Sequence, residues 1–513
     1  MNEEINNILN NINGYPLDND QRKIVLSQDK YLLVSAGAGS GKTLTILGKI
    51  RYLIEIKHLK EEQIICISFT NEATNNLKES IKKNFNYNIN CYTFHKLSLE
   101  ILKKEKYTIT ETNTLRYIIN EFFENIIYFN KDNIKKALKF LKIKYSIFNY
   151  KKKYKTLKAN ELNQLKNLIE KFINLYKSND YKNKDFLFFL KEAKKKRNYK
   201  KNSSFLILTF YIYYIYEKEL SSKKEIDFND MIKYATNYIK KENYNNKIKY
   251  IIIDEFQDTS HLRFNLIKSI IEKTNANLLV VGDDFQSIYR FTGCDLNIFL
   301  NFKKMFNNAN ILKIENTYRN SQELIDIAGS FVMKNKNQLK KDLKSNKHEN
   351  YPINIIYYSE ITTTFIKLIE KIYQETKKAI LILGRNNFDI NEILKNKYFI
   401  LEKEKLIYRK NCNIKMTYLT VHRSKGLEEE NVILINLKND KLGFPNKIED
   451  DEVLKYVSCK EDNYPFSEER RLFYVAITRT KNKNYLLVPK NNESIFIKEL
   501  KATYKEKIKV LKL

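Results

Sequence analysis

The sequence predicts two α/β units, each a parallel sheet flanked by crossover helices, with a helical insertion in the first. Three observations predict it. Short apolar runs at Tyr31 to Val34, Ile64 to Phe69, Tyr250 to Ile253 and Leu278 to Val281 alternate with helical periodicity, as strand-helix-strand crossovers require. A second set follows at Ile311 to Ile314, Ile353 to Tyr357, Ala379 to Leu383, Val432 to Asn436 and Asn484 to Val488. Between Ile101 and Glu225 there is no Gly or Pro, while Lys, Leu, Ile and Tyr recur at helical spacing. The predicted division is therefore 1–100 and 225–300 for the first unit, 101–224 for its helical insertion, and 301–513 for the second unit, with only a short insertion near 386–415.

Length and composition bound the class. A chain of 513 residues is too long for one core and divides into roughly three or four domains of ordinary size. A hydrophobic fraction of 43% fills real cores and excludes a disordered chain. The net charge of +31 is the footprint of a partner rich in phosphate, although a chain so full of Lys, Asn, Ile and Tyr would be basic through A/T-rich coding alone. The basic runs Lys151 to Lys155 and Lys194 to Arg197 therefore read equally as solvated helix faces or as a nucleic-acid groove. The five cysteines are scattered without metal-ligand spacing, as reduced thiols of a cytoplasmic protein are. No signal peptide is expected at the N-terminus. The longest uncharged apolar stretch, Phe205 to Tyr216, falls short of the ~20 residues that cross a bilayer, so no membrane is expected.

Glycine marks the first chemical site. Of eleven glycines, three stand at 37, 39 and 41, between the strand ending at Val34 and the helical run from Thr43. In the loop Ala36-Gly37-Ala38-Gly39-Ser40-Gly41-Lys42-Thr43, backbone amides at a helix N-terminus would cradle phosphate oxygens. Lys42 would reach the β and γ phosphates and Thr43 would hold Mg²⁺. The loop departs from the strict pattern at Ala36, where glycine is usual.

Two acids answer the loop. Tyr250-Ile-Ile-Ile-Asp254-Glu255 ends a buried strand in two carboxylates, where unpaired charge is costly. Asp254 fits a Mg²⁺ partner and Glu255 the base that orients the attacking water. Positive charge for the transition state would come from Arg319 and Arg479, both in the second unit, which would seat ATP between the two units.

With these residues in family order from Leu17 to Lys481, the sequence resembles the UvrD/Rep family of superfamily 1 helicases, in wording nearest its helicase IV branch. The resemblance implies two RecA-like domains, ATP and Mg²⁺ as cofactors, and movement 3′ to 5′ on DNA. Leu17 to Gln21 is similar to the adenine-reading motif, with Gln21 on the base and Tyr318 stacked beneath it. Gln286, in Gly282-Asp-Asp-Phe-Gln286-Ser-Ile-Tyr289-Arg-Phe291, would sense the γ-phosphate, and Glu428 would hold the ribose. The implied contacts to nucleic acid are Phe69, Thr70, Asn71, Thr93, His95, Tyr289, Phe291, Arg385 and His422, with Phe94 either stacking a base or packing in the core.

Three departures stand out. Leu44 replaces an arginine that sandwiches the adenine in many relatives, and Phe291 and Thr292 replace a tryptophan and, in some relatives, an arginine. Only about a hundred residues separate Arg319 from Thr420, where Rep and UvrD hold a whole accessory domain. The expected activity is an ATP-dependent DNA helicase or translocase in repair, replication or recombination, acting on single-stranded and tailed duplex DNA. Two alternatives stay open: a translocase that displaces proteins such as RNA polymerase without processive unwinding, and a nucleotide-gated nucleic-acid-binding regulator. RNA stays open as the track, and repair proteins as partners. No fused nuclease is expected, since no such motif follows Lys481.

Overall fold

A computed structural model describes residues 2–103, 105–241, 247–459 and 462–513. Along the first half run β1 (Tyr31–Ala36), β2 (Ile64–Ser68), β3 (Asn90–Thr93), the two-residue strands β4 (Thr108–Ile109) and β5 (Glu225–Ile226), β6 (Tyr250–Ile253), β7 (Asn277–Gly282) and β8 (Asn310–Ile314). Six of them form one sheet in the order β3-β2-β6-β7-β1-β8, parallel throughout. Its central strands are buried along nearly their whole length, which is why they read as unbroken apolar runs.

Strands β4 and β5 pair where the chain leaves the first unit and where it returns. Between them lie the helices Thr114–Glu124, Lys131–Phe140, Ala159–Ser178, Asn183–Lys194 and Tyr199–Lys223, packed around Ile119, Phe122, Ile169, Phe205 and Ile212. The same core receives Val453, Leu454 and Val457 from the second unit. Each buried aliphatic side chain contributes ~1.5–3 kcal/mol, enough to dock that segment firmly on the insertion.

The second half carries β9 (Ile353–Tyr358), β10 (Ile380–Gly384), β11 (Phe399–Glu402), β12 (Lys405–Tyr408), β13 (Met416–Thr420), β14 (Glu429–Leu434), β15 (Thr480–Pro489) and β16 (Ile508–Leu511). They form a sheet in the order β11-β12-β13-β10-β14-β15-β9-β16. Only the hairpin β11-β12 runs antiparallel, to itself and to β13. The chain is thus α/β with two largely parallel sheets.

One expected assignment changes. The run Ile311 to Ile314, assigned to the second unit from residue 301, pairs with β1 in the first sheet, Leu33 opposite Ile311. A parallel edge strand looks the same in sequence whichever sheet it joins, so the change of unit falls after β8. The short insertion near 386–415 is the β11-β12 hairpin and the turn of helix before it, and it widens the second sheet.

Candidate nucleotide site and strand cleft

The phosphate loop turns from β1 into the helix Lys42–Glu55, with Gly39 (φ 69°) and Gly41 (φ 77°) in the left-handed region that glycine adopts without strain. Space demands glycine as well as conformation. A Cβ on Gly39 would overlap Arg319, one on Gly41 would lie 2.6 Å from Gln21 Nε2, and one on Gly37 would lie 2.7 Å from Leu343 Cδ2. The chain beyond β8 lies directly on this loop: Thr317 Oγ1 donates to the Ala38 carbonyl at 2.7 Å and the Tyr318 amide to that of Gly39 at 2.9 Å. Gln21 Nε2 reaches the Ser40 carbonyl at 3.3 Å. Among the described residues the Ser40 hydroxyl is buried without a hydrogen-bond partner. An orphaned buried hydroxyl at a helix N-terminus fits a phosphate acceptor.

Glu255 follows β6 at φ 53° and ψ 41°, a left-handed conformation that costs a non-glycine residue about 1–3 kcal/mol. It holds the carboxylate between two lysines, Lys42 Nζ and Lys425 Nζ, each 3.6 Å away. Burial opposes ionisation of Glu255, but Lys42 and Lys425 outweigh it and bring its pKa down to about 2. Burial, followed by the charge of Glu255, raises Asp254 to about 6. Two adjacent carboxyls driven apart in this way are a mark of acid-base sites. Asp254 accepts from the Glu255 amide at 2.9 Å and shares no hydrogen bond with Thr43, which stands exposed in the first turn of the loop helix.

The second unit reaches this site through Arg479, buried just beyond the helix Ser467–Ile477. Its Nη2 donates to Gln286 Oε1 at 3.1 Å, while Nε and Nη1 donate to the Val475 and Leu427 carbonyls at 3.0 and 3.2 Å. Burial, then the charge of Arg319, lowers the Arg479 guanidinium to about 9. Arg319 Nε donates to Glu428 at 2.6 Å, and Lys481 Nζ lies 3.0 Å from the same carboxylate. Tyr318, half exposed, donates its hydroxyl to Asp18 at 2.8 Å.

Two lysines that the sequence reading gave no role are central. Lys425 pairs with Asp258, donates to the Gln286 carbonyl at 2.8 Å and lies 5.1 Å from the centre of the Tyr289 ring. Lys341 is buried against both Asp283 and Asp284 and lies 4.1 Å from the centre of the Phe285 ring. Lys425 stands between His422 and Glu428, both singled out in the sequence, so its signal was present. Lys341 lies in Leu339-Lys-Lys-Asp-Leu-Lys344, where the lysine background hides it.

Next to the nucleotide site opens a cleft of about 1710 Å³, lined from both α/β units and the insertion by Phe291, Arg290, Arg385, His422, Glu469 and Lys171 among others. An aromatic row leads into it. Phe69 stacks on Tyr289 at 5.8 Å and 4°, Tyr289 meets Phe291 edge-on at 6.1 Å, and Phe291 meets His422 at 5.5 Å. Tyr289 also donates its hydroxyl to the His422 carbonyl at 2.9 Å. Lys425 therefore joins the acids of the nucleotide site to the aromatic row.

The other expected contacts differ in their surroundings. Arg385 lines the cleft but is held by Glu469 through Nε and Nη2 at 3.0 and 2.7 Å. Burial, with Arg385 nearby, lowers His422 to about 4, and burial with Arg263 does the same to His95, so both are neutral near pH 7. His95 packs against Phe228. Thr70 and Thr93 cap the helices Asn71–Phe85 and Phe94–Ile101, and Asn71 stands exposed at the first of them. Thr70, Asn71, Thr93 and His95, like Phe69 and Tyr289, are not among the cleft-lining residues. Phe94 is buried in the first unit's core with Leu97 and Ile101, so its part is packing.

The family model for the UvrD/REP helicase N-terminal domain matches residues 17–307, and that for the UvrD-like helicase C-terminal domain matches 399–491. The chain belongs to the UvrD/Rep helicase family. It is 25% identical over 499 residues to DNA helicase IV of Escherichia coli (strain K12), covering 96% of this chain and 71% of that one. It is 30% identical over 392 residues to the probable DNA helicase II homolog of Mycoplasma capricolum, 72% of this chain and 49% of the relative. It is 31% identical over 380 residues to the ATP-dependent DNA helicase Rep of Buchnera aphidicola subsp. Schizaphis graminum, 69% and 51%. The chain thus spans about half the length of the latter two relatives. Among the described residues no helix is long and apolar enough to cross a membrane.

Proposed function

We propose that this member of the UvrD/Rep family is an ATP-driven motor that moves 3′ to 5′ on single-stranded DNA and unwinds tailed duplexes, in repair, replication or recombination. The observation that carries this reading is the hydrogen bond of Arg479, from the second unit, to Gln286, from the first. A nucleotide seated there would be gripped by both sheets, so its hydrolysis would release one from the other. In this reading residues 36 to 43 cradle the phosphates, with Lys42 on the β and γ oxygens. Gln21, Tyr318 and Glu428 receive the adenosine. Thr43 and Asp254 would hold Mg²⁺, which would neutralise phosphate charge. Glu255 orients and deprotonates water, and Gln286, Arg319 and Arg479 meet the γ-phosphate. Lys425 carries the change at Glu255 to Tyr289 and the cleft.

The direct test is Lys42→Ala, for which ATP turnover falls by roughly 10²–10³-fold while the circular dichroism spectrum is retained. DNA-stimulated turnover surviving in that variant contradicts the reading. Polarity is read by displacement of streptavidin: a 3′ to 5′ motor clears it from the 5′ end of an oligonucleotide. At the cleft, Phe291→Ala lowers single-strand-stimulated turnover more than strand-free turnover, because a stacked base is worth ~1–3 kcal/mol. Equal loss of both rates assigns Phe291 to packing.

A second reading, a translocase that clears bound proteins without processive unwinding, is favoured by one observation. Between β10 and β13 the chain holds only the β11-β12 hairpin and short helical turns, with no large domain. A forked duplex left intact by a chain that still displaces streptavidin selects this reading.

A further inference from the structure

The aromatic row just described comes entirely from the first α/β unit until it meets His422. A motor that steps needs a grip on each unit, and the second unit offers a separate aromatic at the same cleft. Phe388 lies in the turn after β10, in Arg385-Asn386-Asn387-Phe388, and it lines the cleft with Phe291. It is 49% exposed, close to the 46% of Phe291, although the next apolar residue, Ile390, is fully buried in the second unit's core. Among the described residues no aromatic ring or cation packs on it, whereas Phe291 touches Tyr289 and His422. Its turn is rigidly built: Asn386 donates to the Leu442 carbonyl at 3.1 Å, Asp389 accepts from the Asn386 amide at 2.8 Å, and Tyr418 donates to the Asn386 carbonyl at 2.7 Å. Gly384 is needed there, since a Cβ would overlap the Tyr418 hydroxyl.

Half-exposing a phenyl ring on a braced turn forgoes burial worth about 1.5–3 kcal/mol when complete, and such a ring in a polar cleft calls for an apolar face to cover it. The same cleft is lined by Arg385, paired with Glu469, by Arg423, paired with Glu404, and by Lys447, side chains whose charge suits a phosphate backbone. A flat ring beside cations is the chemistry that receives a nucleobase, and it accepts any base because each presents a π face.

We propose that Phe388 is a second stacking platform for the single strand, belonging to the second α/β unit as Phe291 belongs to the first. Each unit then carries its own base contact, and the strand can be held by one while the other shifts. This rests on the proposed motor function, whose cleft it shares.

The chain contains no tryptophan, so one introduced residue reports alone. In the full chain, Phe388→Trp emission is quenched by a single-stranded oligothymidylate, as is that of Phe291→Trp measured in parallel. Phe388→Ala weakens binding of the same oligonucleotide by roughly 5- to 100-fold, Phe388→Leu weakens it comparably, and Phe388→Tyr restores it. Quenching at 291 with none at 388, or full affinity in Phe388→Leu, overturns this proposal and leaves the motor reading in place. Silence of both tryptophans, with no binding by the unaltered chain, overturns both.

Discussion

Arg479→Ala slows ATP turnover by roughly 10³–10⁵-fold, the range that removal of an arginine from a developing γ-phosphate charge produces. Binding of a fluorescent ATP analogue falls far less, because in the proposed mechanism Arg479 serves the transition state more than the ground state. Its side chain is buried and donates to Gln286, Val475 and Leu427, so truncation also removes the Arg479 hydrogen bond from each of these acceptors. Measuring turnover and analogue binding on the same preparation separates the two effects. Equal loss of both quantities assigns Arg479 to holding the units together, and unchanged turnover removes it from the reaction.

Glu255→Gln keeps the shape of the side chain and removes the proposed base, so turnover drops by roughly 10²–10⁴-fold. Binding of ATP moves the opposite way. With the carboxylate gone, Lys42 loses the anion 3.6 Å away and offers its full charge to phosphate, while Lys425 keeps its pairing with Asp258. The variant therefore traps nucleotide, read as a lower dissociation constant in equilibrium titration. Asp254 also loses the neighbouring charge that, after burial, raises its pKa. Retention of turnover in Glu255→Gln shows that another group orients the water.

Much of this was legible in the sequence, for identifiable reasons. The buried parallel strands announce themselves as apolar runs because both faces of each sheet are covered. Gly37, Gly39 and Gly41 stand out against only eleven glycines, and the structure gives each a close neighbour that excludes a side chain. The edge strand β8 was misplaced because pairing partners leave no local trace. Lys341 was hidden for the opposite reason to the glycines: among 92 lysines and arginines, a buried one looks like the rest. Phe94 and Phe291 illustrate the same limit for aromatics. One opens a helix and faces the core while the other sits in a tight turn and faces the cleft, and only the fold separates them. The docking of Val453 to Val457 into the helical insertion had no sequence signal, since a short apolar stretch does not name its partner.

The central claim is that a nucleotide site shared by two α/β units is wired through Lys425 and Tyr289 to a cleft that holds a single strand. The measurement that tests it most directly is steady-state ATP turnover by the full chain, with and without single-stranded oligothymidylate. Turnover that rises severalfold on adding the strand, and loses that rise in Phe291→Ala, is the predicted result. Turnover indifferent to the strand, at concentrations where anisotropy shows the strand bound, would contradict it.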